Sequence, residues 1–229
     1  MIWLCGDTHG DLDIDKVIRF FSKQKDVTKD DYLIILGDAE ICLDDGIVDD
    51  VVYGIISKLP CTVLWVDGNH ENFDLIEKYP VKEWNGGKVQ FINGTIHLMR
   101  GQVYQLQGHS YFVFGGGNSI DKKVRTIHED WWPQEMPSKE EYNEGKKNLK
   151  KAEWKVDYIL SHSCPRSIAC NLVKRINKDE EELLDYFEWV KDNVEYRKWY
   201  FGHFHRDETI KGKHYCLYRN FVQIKERLE

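Results

Sequence analysis

The sequence has no excess of basic charge: 32 Lys and Arg are outnumbered by 39 Asp and Glu, a formal net charge of −7. A broad surface that grips nucleic acid neutralises phosphates with clustered cations, so extensive nucleic-acid binding is disfavoured and only a small local contact stays open. Also missing is any apolar run near the ~18 residues that crossing a bilayer requires. The opening Ile2-Trp3-Leu4-Cys5 reaches Asp7 too soon for a signal peptide. A cytoplasmic chain without a membrane partner is therefore expected. There is no CxxC pair among the six cysteines, at 5, 42, 61, 164, 170 and 216, and a chain of this size needs no disulfide staples. They read as reduced thiols. No repeat, low-complexity tract or linker interrupts the sequence. With 41% hydrophobic and 31% charged residues, it fits one packed domain over 1–229, carrying a loop-helix insertion around 118–154.

Five short apolar runs each stop at a polar cluster. Ile2 to Cys5 leads to Gly6-Asp7, Tyr32 to Leu36 leads to Gly37-Asp38, and Thr62 to Val66 leads to Asp67-Gly68-Asn69-His70. Tyr158 to Leu160 precedes Ser161-His162, and Lys198 to Phe201 precedes Gly202-His203. Runs of this length bounded by Gly and polar residues read as buried strands. Helix-period stretches, Ile14 to Gln24 and Ile47 to Leu59, separate the first three, which predicts a parallel, layered α/β core. Ligands of such sheets bind beyond the carboxyl ends of the strands, where all five clusters fall. In the middle, Val89 to Ile92, Ile96 to Met99, Gln102 to Leu106 and Tyr111 to Phe114 are split by turn pairs. They read as antiparallel strands of a second sheet or of its edge. Ser138 with Glu141 three residues on opens a helix to about Trp154. Another helix is expected from Asp179 to about Asp192, its Glu180-Glu181-Glu182 run forming an exposed start. Thr209 to Lys225 reads as strand, Gly212 turn, strand.

Hydrolytic sites with two transition metals use carboxylate oxygens and imidazole nitrogens, with one ligand shared between ions ~3.5–4 Å apart. The strand-end clusters supply that set. Asp7 and His9 alternate on one loop and so project the same way, and Asp38 adds a second carboxylate. Asn69 offers a neutral amide oxygen, and His162 closes the fourth loop. His203 and His205 repeat the alternate spacing behind Gly202, which leaves room for close backbone approach. His97, His109, His128 and His214 stand outside these clusters and read as ordinary satisfied polar groups.

In this order, Gly6-Asp7-Thr8-His9-Gly10, Gly37-Asp38, Gly68-Asn69-His70-Glu71, Ser161-His162 and Gly202-His203-Phe204-His205 resemble the calcineurin-like metallophosphoesterase superfamily. The resemblance runs over almost the whole chain. It implies an α/β fold of two mixed β-sheets packed as a sandwich and flanked by α-helices in four layers, with the dimetal site at strand-end loops. It implies Asp7, His9, Asp38 and His205 around one metal and Asp38, Asn69, His162 and His203 around the other, Asp38 bridging. His70 would be no ligand but the catalytic group that contacts the phosphate, beside Asn69, and protonates the leaving oxygen. Two divalent ions are implied; manganese, iron or zinc suits such O/N ligands, with manganese or an iron–manganese pair foremost. They would activate a bridging water for direct attack on a small phosphomonoester or phosphodiester, a nucleotide among the candidates.

Two departures narrow the substrate. Phosphoprotein phosphatases of the superfamily carry phosphate-binding arginines where this chain has Ala39 to Cys42 and Val66-Asp67. That disfavours phosphoprotein hydrolysis, one alternative; a metal-free protein-interaction scaffold is the other. Arg125 is either a replacement phosphate clamp or a solvated loop cation. Trp131 and Trp132 read as packing residues that pin their loop, in preference to a stacking platform for a nucleobase. Oligomeric state is left open.

Overall fold

In the computed structural model, residues 1–44 and 46–225 are described. The final four residues of the domain expected over 1–229 lie outside the described residues. The front of the chain alternates as expected: β1 (Ile2–Cys5), α1 (Asp15–Phe21), β2 (Tyr32–Leu36), α2 (Ile47–Ile56) and β3 (Thr62–Val66), the three strands being parallel neighbours. A short α3 (Phe73–Ile76) leads into β4 (Val81–Trp84), β5 (Gly87–Ile92), β6 (Thr95–Leu98), β7 (Gln102–Leu106) and β8 (His109–Phe114). Then come α4 (Lys139–Lys151), β9 (Tyr158–Ser161), α5 (Arg166–Leu172), α6 (Glu181–Asn193) and β10 (Lys198–Phe201). The chain closes with β11 (Glu208–Ile210), β12 (His214–Cys216) and β13 (Val222–Ile224).

The strands form two mixed sheets, in the orders β13-β1-β2-β3-β6-β5-β4 and β11-β12-β10-β9-β8-β7. Successive side chains of a strand point to opposite faces, and here both faces are covered. Ile34 and Leu36 of β2 join Leu64 and Val66 of β3 and Tyr111, Val113 and Leu160 of the other sheet in the inter-sheet core. Their neighbours Leu33 and Ile35 face the opposite way, against Val17 and Phe21 of α1 and Val52 and Ile56 of α2. Phe112, Ile159 and Trp199 of the second sheet pack outward on Leu149, Ile168 and Phe187 from α4, α5 and α6. The result is the four-layer order helix, sheet, sheet, helix.

The middle strands are divided between the sheets. β6 lies parallel to β3 and carries β5 and β4 at the first sheet's edge, whereas β8 lies parallel to β9 in the second. The crossing is at Arg100-Gly101, where Gly101 has φ +74° and a Cβ would sit 2.8 Å from the backbone nitrogen of Gly145 in α4. Only glycine permits that turn and that approach. β11 and β12 form the expected hairpin about Gly212, but β13 leaves it and pairs antiparallel with β1 across the other sheet. β4 shows no apolar alternation, because it is an exposed edge whose Lys82 and Glu83 face solvent. α4 opens with the expected capping box: Ser138 Oγ accepts from Glu141 N at 3.2 Å and Glu141 Oε2 from Ser138 N at 2.7 Å. Among the described residues no helix is long and apolar enough to cross a membrane.

Candidate metal centre

The loops after β1, β2, β3, β9 and β10 meet at one rim. The first two are tied together by their backbones, with Thr8 N and His9 N both donating to Asp38 O at 3.0 and 2.9 Å. His9, Asp38, His203 and His205 all lie in the left-handed region, at φ 45°, 47°, 67° and 49°. Residues with a Cβ adopt it at a cost of roughly 1–2 kcal/mol each, and such strain persists where packing and hydrogen bonds impose it. Neighbouring glycines remove what would otherwise collide. A Cβ on Gly68 would lie 2.1 Å from Asp38 Oδ1, one on Gly37 2.1 Å from His162 Nδ1, and one on Gly202 2.4 Å from Asp7 Oδ1.

Each carboxylate is anchored through one oxygen and presents the other. Asp38 Oδ1 accepts from Asn69 N and His70 N, both at 2.8 Å, leaving Oδ2 3.3 Å from His162 Nε2. Asp7 Oδ1 accepts from His203 N at 3.1 Å, while its buried Oδ2 has no hydrogen-bond partner among the described residues and lies 3.4 Å from His205 Nε2. The imidazoles are held from behind in the same manner. His162 Nδ1 donates to Leu36 O at 2.8 Å, and His9 Nδ1 faces Glu40 Oε1 at 3.2 Å. When a ring is neutral, that partner keeps the proton on Nδ1 and leaves Nε2 as the lone pair. The Nε2 of His162 then confronts Asn69 Oδ1 at 3.1 Å, and that of His9 confronts His205 Nε2 at 3.0 Å. Asn69 is oriented for this by donating its Nδ2 to Ser119 Oγ at 3.1 Å.

Carboxylate oxygens, an amide oxygen and imidazole nitrogens thus converge on a shared space, an arrangement that a cation, either a proton or a metal ion, resolves. A proton on His162 is one such cation, and a metal ion would have to displace it. Burial disfavours an imidazolium at His162, yet the charges of Asp38 and Asp7 outweigh it and push its pKa up to about 10. Burial followed by the charge of His162 pushes His203 down to about 3, so that ring is neutral, as a metal ligand must be. Asp7, His9 and His205 form one close group of donors. Asp7, Asp38 and His162 form a second. Leu36 occupies the nitrogen that His162 turns towards Asp7, so its other nitrogen, Nε2, is the one that faces Asp38 and Asn69. These donors fit two divalent transition ions.

His70 stands beside this group, its ring centroid 5.6 Å from that of His9. Burial, with a smaller contribution from the charge of Arg125, lowers its pKa. Arg125 is occupied by its own loop: it pairs with Asp121 at 2.9 Å and donates to Asp130 O at 2.9 Å, while Nε has no partner among the described residues. Trp132 is a core residue, 4% exposed, with Nε1 donating to Asp74 Oδ2 at 2.9 Å, in keeping with the packing role expected for it. Four residues gain places that the sequence reading did not assign. Glu71 is fully buried and accepts from Ala39 N at 2.9 Å and Glu40 N at 3.1 Å, clamping the second loop to the third. Glu135 receives the backbone of Ser119 and so supports Asn69. Arg100 neutralises Asp67 from behind the site, at 2.5 Å. Glu180 corrects the exposed helix start. It is 7% exposed, accepts from Ser163 Oγ at 2.7 Å and lies 3.5 Å from His203 Nε2; only Glu181 and Glu182 face solvent. A run of three glutamates gives no sign of which one turns inward.

Of the histidines outside the motifs, His97 is satisfied by Gln90 and Asp67 and His128 meets Asp74, whereas His214 and His109 meet Tyr196 and Lys225 O through Nε2 only, the buried Nδ1 of each having no hydrogen-bond partner among the described residues, so these two are not the fully satisfied groups expected. All six cysteines are free thiols, five of them buried.

A sequence model of calcineurin-like phosphoesterases matches residues 1–207. No curated protein matches the sequence. Among solved structures, a putative 5′-nucleotidase from Staphylococcus aureus, in complex with alpha-ketoglutarate, superposes with a TM-score of 0.53 at 13% identity. The match covers 98% of this chain and 51% of that one, so this chain spans about half of its length. Phosphopantetheinyl hydrolase from Mycobacterium tuberculosis aligns over 95% of this chain and 89% of its own at 16% identity, TM-score 0.47. TT1561 of Thermus thermophilus aligns over 95% and 87% at 12% identity, TM-score 0.45. The first of these supports the fold.

Proposed function

The chain belongs to the calcineurin-like phosphoesterase family, metal-dependent hydrolases of phosphate esters, and from that membership we propose that it hydrolyses a small phosphomonoester or phosphodiester, a nucleotide among the candidates. The observation that carries the reading is the convergence of the unpartnered Asp7 Oδ2, Asp38 Oδ2 and the Nε2 atoms of His9, His162 and His205 on one space, which suits metal ions that displace the His162 proton. In the proposal residues 1–229 act as one domain, with Asp7, His9 and His205 at one ion and Asn69, His162 and His203 at the other. Asp38 is shared between them. Two divalent ions held there, manganese or an iron–manganese pair, would neutralise phosphate oxygens and lower the pKa of a water.

The protein's own groups do the rest. Backbone donors from Asn69 and His70 keep Asp38 Oδ2 turned inward, and Leu36 and Glu40 fix the tautomers of His162 and His9. His70 contacts the scissile phosphate and gives a proton to the leaving oxygen. Its lowered pKa opposes that role in the free protein, but a bound phosphate dianion favours the charged ring and restores it. Arg125 adds positive charge near His70. The test is metal analysis of purified protein together with phosphate release from alkyl and aryl esters after manganese addition. Bound transition metal with turnover is expected; neither metal nor turnover would leave a metal-free scaffold. Asp38→Asn should lower occupancy at both positions and Asp7→Asn at one. The reverse pattern would transfer the bridge to Asp7, which both close donor groups contain.

A further inference from the structure

A cleft of about 460 Å³ opens beside the candidate centre, with Asp38, Asn69, His70 and His203 on one wall. Through Ser119, Ile120, Arg175, Ile176 and Asn177 it continues into a second hollow of about 490 Å³ bordered by Lys122, Lys123 and Lys178. Resting on the phosphoesterase reading of that centre, we propose that the substrate's leaving group carries a second anionic group, a phosphate or carboxylate, bound by Arg175 and Arg206 across an apolar spacer.

Charge is the first reason. The protein as a whole is acidic, yet this passage is cationic. Apart from Asp38, which belongs to the candidate centre, its acidic residues are already engaged: Asp121 by Arg125, Asp179 by Lys122, and Glu180 by Ser163. Arg175, Arg206, Lys123 and Lys178 have no ion-pair partner among the described residues. Exposed cations gathered in a concave wall sum their potentials and draw in anions. Asn118 provides an independent reason. It lines the cleft at 1% exposure, and Lys122 Nζ holds its Oδ1 at 3.0 Å, yet its Nδ2 donates to nothing among the described residues. A buried amide donor without an acceptor costs ~1–3 kcal/mol, which a substrate oxygen would recover. The same lining includes the apolar Leu172, Val173, Ile176 and Phe204 together with Ile120, which is 86% exposed. A spacer with little hydrogen bonding fits it, and the guanidinium forks suit a terminal phosphate or carboxylate.

The test compares α,ω-alkanediyl bisphosphonates of graded length with matched alkylphosphonates, by calorimetry on manganese-loaded protein, so that no turnover is needed. At one or more lengths the bisphosphonate should bind about tenfold more tightly or better, beyond the statistical gain of its two ends. Arg175→Ala with Arg206→Ala should reduce that ratio to near parity. Both side chains are exposed, so the double variant keeps its fold. Parity in the unaltered protein at every length, or an advantage that survives in the double variant, would overturn the proposal. Parity alongside turnover of an aryl phosphate would remove the second subsite and leave the phosphoesterase reading standing; absence of metal and turnover would remove that reading too.

Discussion

Gly117→Ala should weaken one metal position while sparing the other. Gly117 is not in the left-handed region, so alanine meets no backbone penalty there and the effect is one of contact alone. The added Cβ would lie 2.9 Å from Asn69 Oδ1, 3.0 Å from His162 Cδ2 and 3.3 Å from His203 Cε1. Ordinary contact begins at 3.4 Å, so Asn69 and His162 must each retreat by about 0.4–0.5 Å. Neither retreats freely, since Ser119 holds the Asn69 amide and Leu36 holds the imidazole. Metal–ligand distances tolerate about 0.2 Å, and disturbing the support of a ligand typically costs ~10–100-fold in affinity. Calorimetric titration of chelator-stripped protein with manganese should show one site weakened by about that factor and the site of Asp7, His9 and His205 close to unaltered. Overpacking should cost ~1–3 kcal/mol in urea unfolding of the apoprotein, so the variant is read under conditions where circular dichroism shows it folded. Gly54→Ala is the control. A Cβ there meets nothing within 4 Å, so metal binding should stay the same and α2 should gain ~0.5–1 kcal/mol. Two sites of unaltered affinity in folded Gly117→Ala would refute the assignment of Asn69, His162 and His203 as ligands.

Four further outcomes are expected. His70→Asn should keep both metals and lose ~10²–10⁴-fold on alkyl phosphate esters but far less on nitrophenyl esters, whose leaving group needs no proton; equal losses would reduce His70 to a phosphate contact. Arg125→Lys should lower kcat/KM with metal content intact, because an ammonium cannot keep both the Asp121 and the Asp130 contacts that hold this cation near His70, and normal kcat/KM on several substrates would confine Arg125 to holding its loop. Arg100→Ala strands the buried Asp67 carboxylate, which Arg100 contacts at 2.5 and 2.6 Å, and should cost ~3–5 kcal/mol in urea unfolding; a loss below ~1 kcal/mol would contradict it. Burial, then the charge of Lys213, depresses His214 to about 4, below the ~6.5 of an unfolded chain. The unfolded state therefore binds the extra proton, and stability falls as pH drops from ~6.5 towards 4, by ~1–3 kcal/mol. His214→Phe should remove that slope in chelated protein, and parallel pH profiles would speak against it.

The sequence by itself determined the chemistry-bearing parts and their order. Runs such as Tyr32 to Leu36 are too short and too apolar to be anything but buried strands, and each stops at a donor that a strand end presents. Local pattern also sufficed for Ser138 and Glu141, whose capping box closes within four residues. Tertiary structure alone decided what depends on partners far apart in the chain. Glu180 looks like its neighbours until α6 packs and turns it towards Ser163 and His203. β4 has no apolar face to announce it, and β13 takes its sheet from β1, at the opposite end of the chain. Donor identity is local because it needs only a residue type beside a turn. The direction of each lone pair was decided by long-range bonds such as His162 to Leu36 and Asn69 to Ser119, since a side chain is aimed by whatever packs behind it.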